Sequence, residues 1–154
     1  TLDRASAASD VYKRQGRDRV ALQLDGTDEE ELTAPLIGCC AEVVVVPVYR
    51  WAHPVDSGPA EALVNAVCNG GVDAVTFTTR QAAVHLVEVA GSMGREDEMV
   101  AALDGTRVVP VSVGPVCSAA MRSLGMTGLV EPDRARLVAM IDALADEAVR
   151  RTTP

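Results

Sequence analysis

Residues 72–91 read VDAVTFTTRQAAVHLVEVAG, and this stretch decides the fold. Its opening, Ala74 to Phe77, is a short β-branched and aromatic run, the composition of a buried strand. The residues after it space their apolar side chains helically, which predicts a helix over Thr79 to Ala90 ended by Gly91. Thr78 with Gln81 three residues on fits a capping box and marks the helix start. The same order recurs downstream: a strand over Val108 to Val113, the turn Gly114-Pro115, and a helix to Leu124 stopped by Gly125. Strands that turn straight into helices imply an α/β fold, a parallel sheet with flanking crossover helices.

Working outward, a helix is predicted over Pro59 to Cys68, ended by Asn69-Gly70-Gly71, and a short one over Arg95 to Leu103, ended by Gly105. Beyond Gly125 come an extended segment at Gly128 to Val130 and a last helix from Pro132 to about Arg150. Toward the N-terminus, Val20 to Leu24 reads as a strand and Asp28 to Ile37 as a helix closed by Gly38. Pro35 should kink or shorten that helix. Ala41 to Tyr49 contains VVVV and is expected to be a strand buried on both faces. Arg50 to Gly58 carries His53-Pro54 and Ser57-Gly58-Pro59, a break that predicts a domain boundary. No repeat of solenoid period is visible.

Composition bounds the function. The 154 residues are 48% hydrophobic and 23% charged, the balance of a folded domain. Fourteen basic against 22 acidic residues give a net charge of −8, leaving no broad basic face for nucleic acid. No apolar run reaches the roughly 20 residues that cross a bilayer, and the N-terminus lacks the order of a signal peptide, so the expected location is cytoplasmic. Cys39, Cys40, Cys68 and Cys117 have no C-x-x-C spacing, and only His53 and His85 could join them. Free thiols are expected, with neither a zinc site nor a disulfide framework.

The first 15 residues stand apart. Ser6 to Gln15 (SAASDVYKRQ) looks like a translated sequencing adapter, and Lys13 is the sole lysine, whereas the rest of the chain has eleven arginines. Residues 1–15 are therefore set aside as non-native, which would make the remainder a gene fragment with its start upstream.

In open parallel sheets ligands bind beyond the carboxyl ends of the strands, where helix N-termini present unpaired N–H groups. Two turns qualify. Phe77-Thr78-Thr79-Arg80 offers hydroxyls and backbone amides at the end of a buried strand. Gly114-Pro115-Val116-Cys117-Ser118 offers a close backbone turn and first-turn amides expected to stay free for an anion. Either can also be plain structure, a helix cap or an ordinary turn. Cys117 at a helix N-terminus could be an activated nucleophile, but no histidine neighbours it in sequence, and packing is the simpler role. His85 reads as structural, and the acidic run 28–31 as charge favoured at a helix start. Asp25 suggests a receiver-type aspartate only until the missing lysine is noticed. Tyr49 and Trp51 sit in the connector and could line a cleft or seal a junction.

The ordered pieces VALQLDG, VVVVPVYRWAHP, GGVDAVTFTT and VSVGPVCSAAMRSLGM, then a helix opened by Glu-Pro, resemble the uroporphyrinogen-III synthase family, in particular its high-GC actinobacterial members. The similarity runs from about Arg17 to Asp146. It implies two α/β domains joined by a two-stranded linker, with the active site in the cleft between them. On that pattern residues 16–47 end the middle domain, 48–58 form the linker, with Val48 to Pro54 its returning strand, and 59–154 belong to the other domain.

The resemblance also implies the chemistry: hydroxymethylbilane, an octacarboxylate linear tetrapyrrole, loses water and closes to uroporphyrinogen III with its last ring inverted. No cofactor or metal takes part. Tyr49 would be the catalytic proton donor to the leaving hydroxyl. Thr78, Thr79, Gly114, Val116, Cys117 and Ser118 would bind the substrate's carboxylates. Two departures stand out, since the family often has Thr-Ser-Pro where Thr78-Thr79-Arg80 stands here, and often a threonine at Cys117. The full-length protein is expected to be a monomer, and the fragment alone inactive. The competing reading is a regulator in which a winged-helix module follows Pro154; a plain small-molecule-binding α/β domain is the third.

Overall fold

The computed structural model describes residues 18–24, 29–39, 42–48 and 50–152, so residues 1–15 and Tyr49 lie outside the described residues. The chain divides into two compact units, Thr1–Ala52 and His53–Pro154.

In the first unit, strand β1 (Arg19–Leu24), helix α1 (Glu29–Ile37) and strand β2 (Glu42–Pro47) form one βαβ element. β1 and β2 pair in parallel, in register from Arg19↔Glu42 to Leu24↔Pro47. An ion pair of 2.5 Å joins Arg19 and Glu42 across the first rung. Both side chains are well exposed, so it adds little stability. Pro35 stays inside α1, which ends two residues later at Ile37. The expectation that the valine run is buried on both faces is corrected: Val43 and Val45 are half-buried, whereas Val44 and Val46 are 41% and 40% exposed. Side chains alternate across a strand, and α1 packs on β2, so a single covering layer shelters only every second valine. The strand expected over 48–54 does not form at Val48 or at residues 50–54.

The second unit contains α2 (Gly58–Cys68), β3 (Ala74–Phe77), α3 (Arg80–Ser92), α4 (Glu96–Ala102), β4 (Val109–Ser112), α5 (Pro115–Ser123) and α6 (Leu137–Thr152). β3 and β4 are parallel, in register from Ala74↔Val109 to Phe77↔Ser112. Val130 extends the sheet by one bridge beside Val111, its N–H donating to Pro110 and its carbonyl accepting from Ser112. The period-two alternation sorts the two faces. Val75 and Phe77 point into the main core with Val64 and Val67 of α2, Leu86 of α3 and Met121 of α5. Val109 and Val111 point the other way, into a smaller cluster with Met140 of α6. All four residues of β4 are buried, as a strand covered on both faces should be.

Three boundaries differ from the sequence reading. The cap of α3 is Thr79 and not Thr78: Thr79 is extended, and its hydroxyl oxygen accepts the Ala82 N–H at 3.1 Å. Gln81 therefore does not close a capping box, and its amide lies 3.1 Å from His85 Nε2. α3 runs through Gly91 to Ser92, because the left-handed residue that lets the chain leave is Gly94, at φ +66°. α6 starts at Leu137, five residues after Pro132, because Val130 is held in the sheet and Pro132 is buried beside it.

Candidate functional site

The register Phe77↔Ser112 places the ends of β3 and β4 side by side. The Val113 N–H donates to the Phe77 carbonyl at 3.0 Å, carrying the ladder one residue further. The chain then turns twice at the same sheet edge, through Thr78-Thr79 into α3 and through Val113-Gly114 into α5. Two helix N-termini thus start from adjacent strands, the arrangement that favours an anion.

At the first turn Thr78 and Thr79 are both exposed. Thr79 uses its oxygen to accept from Ala82, and its hydroxyl proton is left for a further acceptor. At the second turn Gly114 is buried, and a Cβ there would stand 2.6 Å from the Ala135 Cβ, so close approach and not φ demands glycine. Pro115 opens α5. The amides of Val116 and Cys117 precede the first intrahelical bond, which runs from the Ser118 N–H to the Gly114 carbonyl at 3.0 Å. The expectation of a free amide at Ser118 is therefore corrected. Its side chain is also turned inward, fully buried with its Oγ 2.5 Å from Ser112 Oγ.

Cys117 is also directed into the core. Its thiol donates to the Phe77 carbonyl at 3.5 Å, and burial pushes its pKa up. A buried, protonated thiol is neither nucleophile nor ligand, so the activated-cysteine option falls and the packing role stands. Its Sγ bridges the helix start to the end of the neighbouring strand.

Between α3 and α5 a shallow groove of about 530 Å³ runs past the two turns, lined by Arg80, Gln81 and Val84 on one side and Val116, Ala119 and Ser123 on the other. Arg80 is the cation of this groove; the sequence placed it in the first turn, but only the turn's hydroxyls and amides were given a binding role. The signal was present: a guanidinium directly after a Thr-Thr strand end suits a carboxylate ligand. A second cavity, about 440 Å³ beside α6, includes Glu131, Asp133, Asp142 and Asp146 in its lining together with Arg134 and Arg150. Its four carboxylates outnumber the two guanidiniums, so it suits a polyanion less than the groove at Arg80 does.

The two histidines, read from sequence as possible partners of the cysteines, meet each other instead. Their rings lie 4.6 Å apart, and His53 Nε2 is 3.0 Å from Glu88 Oε2. Cys68 and Cys117 are free thiols. Tyr49 lies outside the described residues, so the structure does not place it against the two turns. No described helix is long and apolar enough to cross a membrane.

Comparison with known proteins gives a consistent picture. The family model described as "Uroporphyrinogen-III synthase HemD" matches residues 8–142, a span that opens within the segment set aside on composition. A Methanothermobacter thermautotrophicus protein named "Putative uroporphyrinogen-III synthase" is 39% identical over 105 residues, 68% of this chain and 40% of that protein. The uncharacterized protein YjjA of Bacillus subtilis is 33% identical over 127 residues, 82% of this chain and 46% of its own. Among solved structures, a wild-type uroporphyrinogen III synthase from Thermus thermophilus superposes with a TM-score of 0.59 at 26% identity, covering 90% of this chain and 52% of that one. Another Thermus thermophilus uroporphyrinogen III synthase structure gives 0.53 at 29% identity, over 87% of this chain and 51% of that one. The chain thus spans less than half the length of the two protein relatives and about half of the solved structures.

Proposed function

The chain belongs to the uroporphyrinogen-III synthase family, and on that premise we propose that it carries carboxylate-binding turns of an enzyme that cyclises hydroxymethylbilane to uroporphyrinogen III. The observation that carries the reading is the Phe77↔Ser112 register, which starts two helices from one sheet edge. The substrate is a polyanion, and the chain is itself acidic, with a net charge of −8. Binding must therefore come from local donors: the Thr78 and Thr79 hydroxyls, the Val116 and Cys117 amides, and the Arg80 guanidinium at the groove. Gly114 lets the backbone reach that position, and Ser118 holds the first turn of α5 from beneath through Ser112.

Ring closure needs hydroxide to leave and the terminal pyrrole to be attacked at its substituted position. Held carboxylates fix the bilane's ends relative to each other, and this positioning selects spiro attack over simple closure. We assign Tyr49 as proton donor to the leaving hydroxyl, on the match of VPVYRW to the family pattern. The reading needs no cofactor. We further read the protein as a cytoplasmic monomer that binds no nucleic acid through this chain, which its acidic balance and free thiols support.

The test is an isomer-resolved assay with hydroxymethylbilane on the active protein containing this sequence. Tyr49→Phe should lower kcat by about a hundredfold, the lower range for a lost general acid. Arg80→Ala should raise KM about tenfold or more, as expected when a charged hydrogen bond is lost. Unchanged turnover and type III fraction in both variants would overturn the assignment, and a parent protein that yields no type III isomer would overturn the function.

A further inference from the structure

We propose that His53, His85 and Glu88 form a binding site for a borderline divalent cation of the Zn2+ type, separate from the carboxylate turns and independent of the function assigned to them. The three side chains converge from two segments of the second unit. His85 and Glu88 are three residues apart on α3 and so share a face, and His53 reaches them from the chain ahead of α2. One ligand atom from each lies within 4.8 Å of the others. Zinc bonds of roughly 2.0–2.2 Å in a tetrahedron set ligand atoms about 3.3–3.5 Å apart, so small side-chain rotations close the set. Two imidazoles and a carboxylate are the donor mix that suits Zn2+, Co2+ or Ni2+; the all-oxygen cations Ca2+ and Mg2+ would not choose it.

Two further features fit a ligand. The Gln81 amide nitrogen stands 3.1 Å from His85 Nε2; with that amide turned over, its oxygen would accept the ring's N–H and orient the imidazole toward the cation. A cavity of about 190 Å³, lined by His53, Pro54, Ser57 and Glu88 among others, opens on the cluster. It has room for water as a fourth ligand. The cation would clip the segment that opens the second unit onto α3, a link otherwise made through the His53–Glu88 contact, whose side chains are 48% and 51% exposed.

The experiment is a Co2+ titration of the 154-residue chain, with Cys39 and Cys40 changed to serine so that thiolates do not compete. The expected result is one Co2+ per chain with visible ligand-field absorption, displaced by Zn2+, and a thermal midpoint raised by Zn2+. His53→Gln and Glu88→Gln should each weaken binding about tenfold or more, and Gln81→Ala should weaken it less. Both glutamine variants alter exposed side chains, and circular dichroism verifies their fold. Absence of 1:1 binding overturns the proposal, as does equal affinity in the parent and His53→Gln; either result leaves the cluster an ordinary histidine–carboxylate pair.

Discussion

Asp104 shows how much one side chain can organise. Its Oδ1 accepts the N–H groups of Thr106 and Arg107 at 2.7 and 2.9 Å, and its Oδ2 accepts the Thr106 hydroxyl at 2.7 Å. Those donors favour the ionised form, lowering the pKa from 3.8 to about 2. A depressed folded-state pKa stabilises the fold in full above the unfolded value, and the contribution fades as pH falls from about 4 through about 2. Asp104→Asn should therefore reduce stability at neutral pH and flatten the acid limb of a thermal-midpoint profile over that window. An unchanged profile would show that the turn does not depend on the charge. The residue scale is also where the sequence was least legible. It picked out Cys117 correctly as a helix-start residue, but which way the thiol faces depends on the Phe77 carbonyl 40 residues away. The His53–His85–Glu88 cluster went unread for the same reason, since contacts between distant segments leave no local pattern.

Element type was legible along most of the chain, because hydrophobic period and turn residues are local. β3 came out residue for residue, and α2, α4, α5 and the Val130 bridge lie within one or two residues of expectation. Thr78, Gly91 and Pro132 would each make a good boundary, but another residue took the role: Thr79 through its own cap bond, Gly94 through a left-handed φ, and Leu137 because Val130 is held in the sheet. α6 is the clearest case. Its one wholly buried side chain is Met140, seated on Val109 and Val111. At its far end, Arg151 donates to the carbonyls of Gly105 and Thr106. A helix with so narrow a footing depends on that residue. Met140→Ala should cost about 2–5 kcal/mol in chemical denaturation, as large-to-small core changes do. A loss well under 1 kcal/mol would mean that α6 is held chiefly by its polar end.

At the scale of the whole chain, the α/β class and the parallel pairing followed from strand–turn–helix order, whereas how deeply each strand is buried did not. The valine run of β2 reads like a central strand, but depth is set by what covers the sheet and not by the strand's composition. The packing of the second unit has a chemical signature of its own. Met99, Met121, Met126 and Met140 are at most 1% exposed, and Met93, the fifth and last methionine, is half-buried. Oxidation turns a thioether into a polar sulfoxide that such a core does not tolerate. Peroxide should therefore reach Met93 first, and mass spectrometry should find the other four modified only as fast as the fold opens; early modification of Met99 or Met121 would contradict this order. With a single Phe among its hydrophobic side chains, this core relies on thioether sulfur where most would use rings, and each of those sulfur atoms doubles as a chemical clock for the opening of the structure around it.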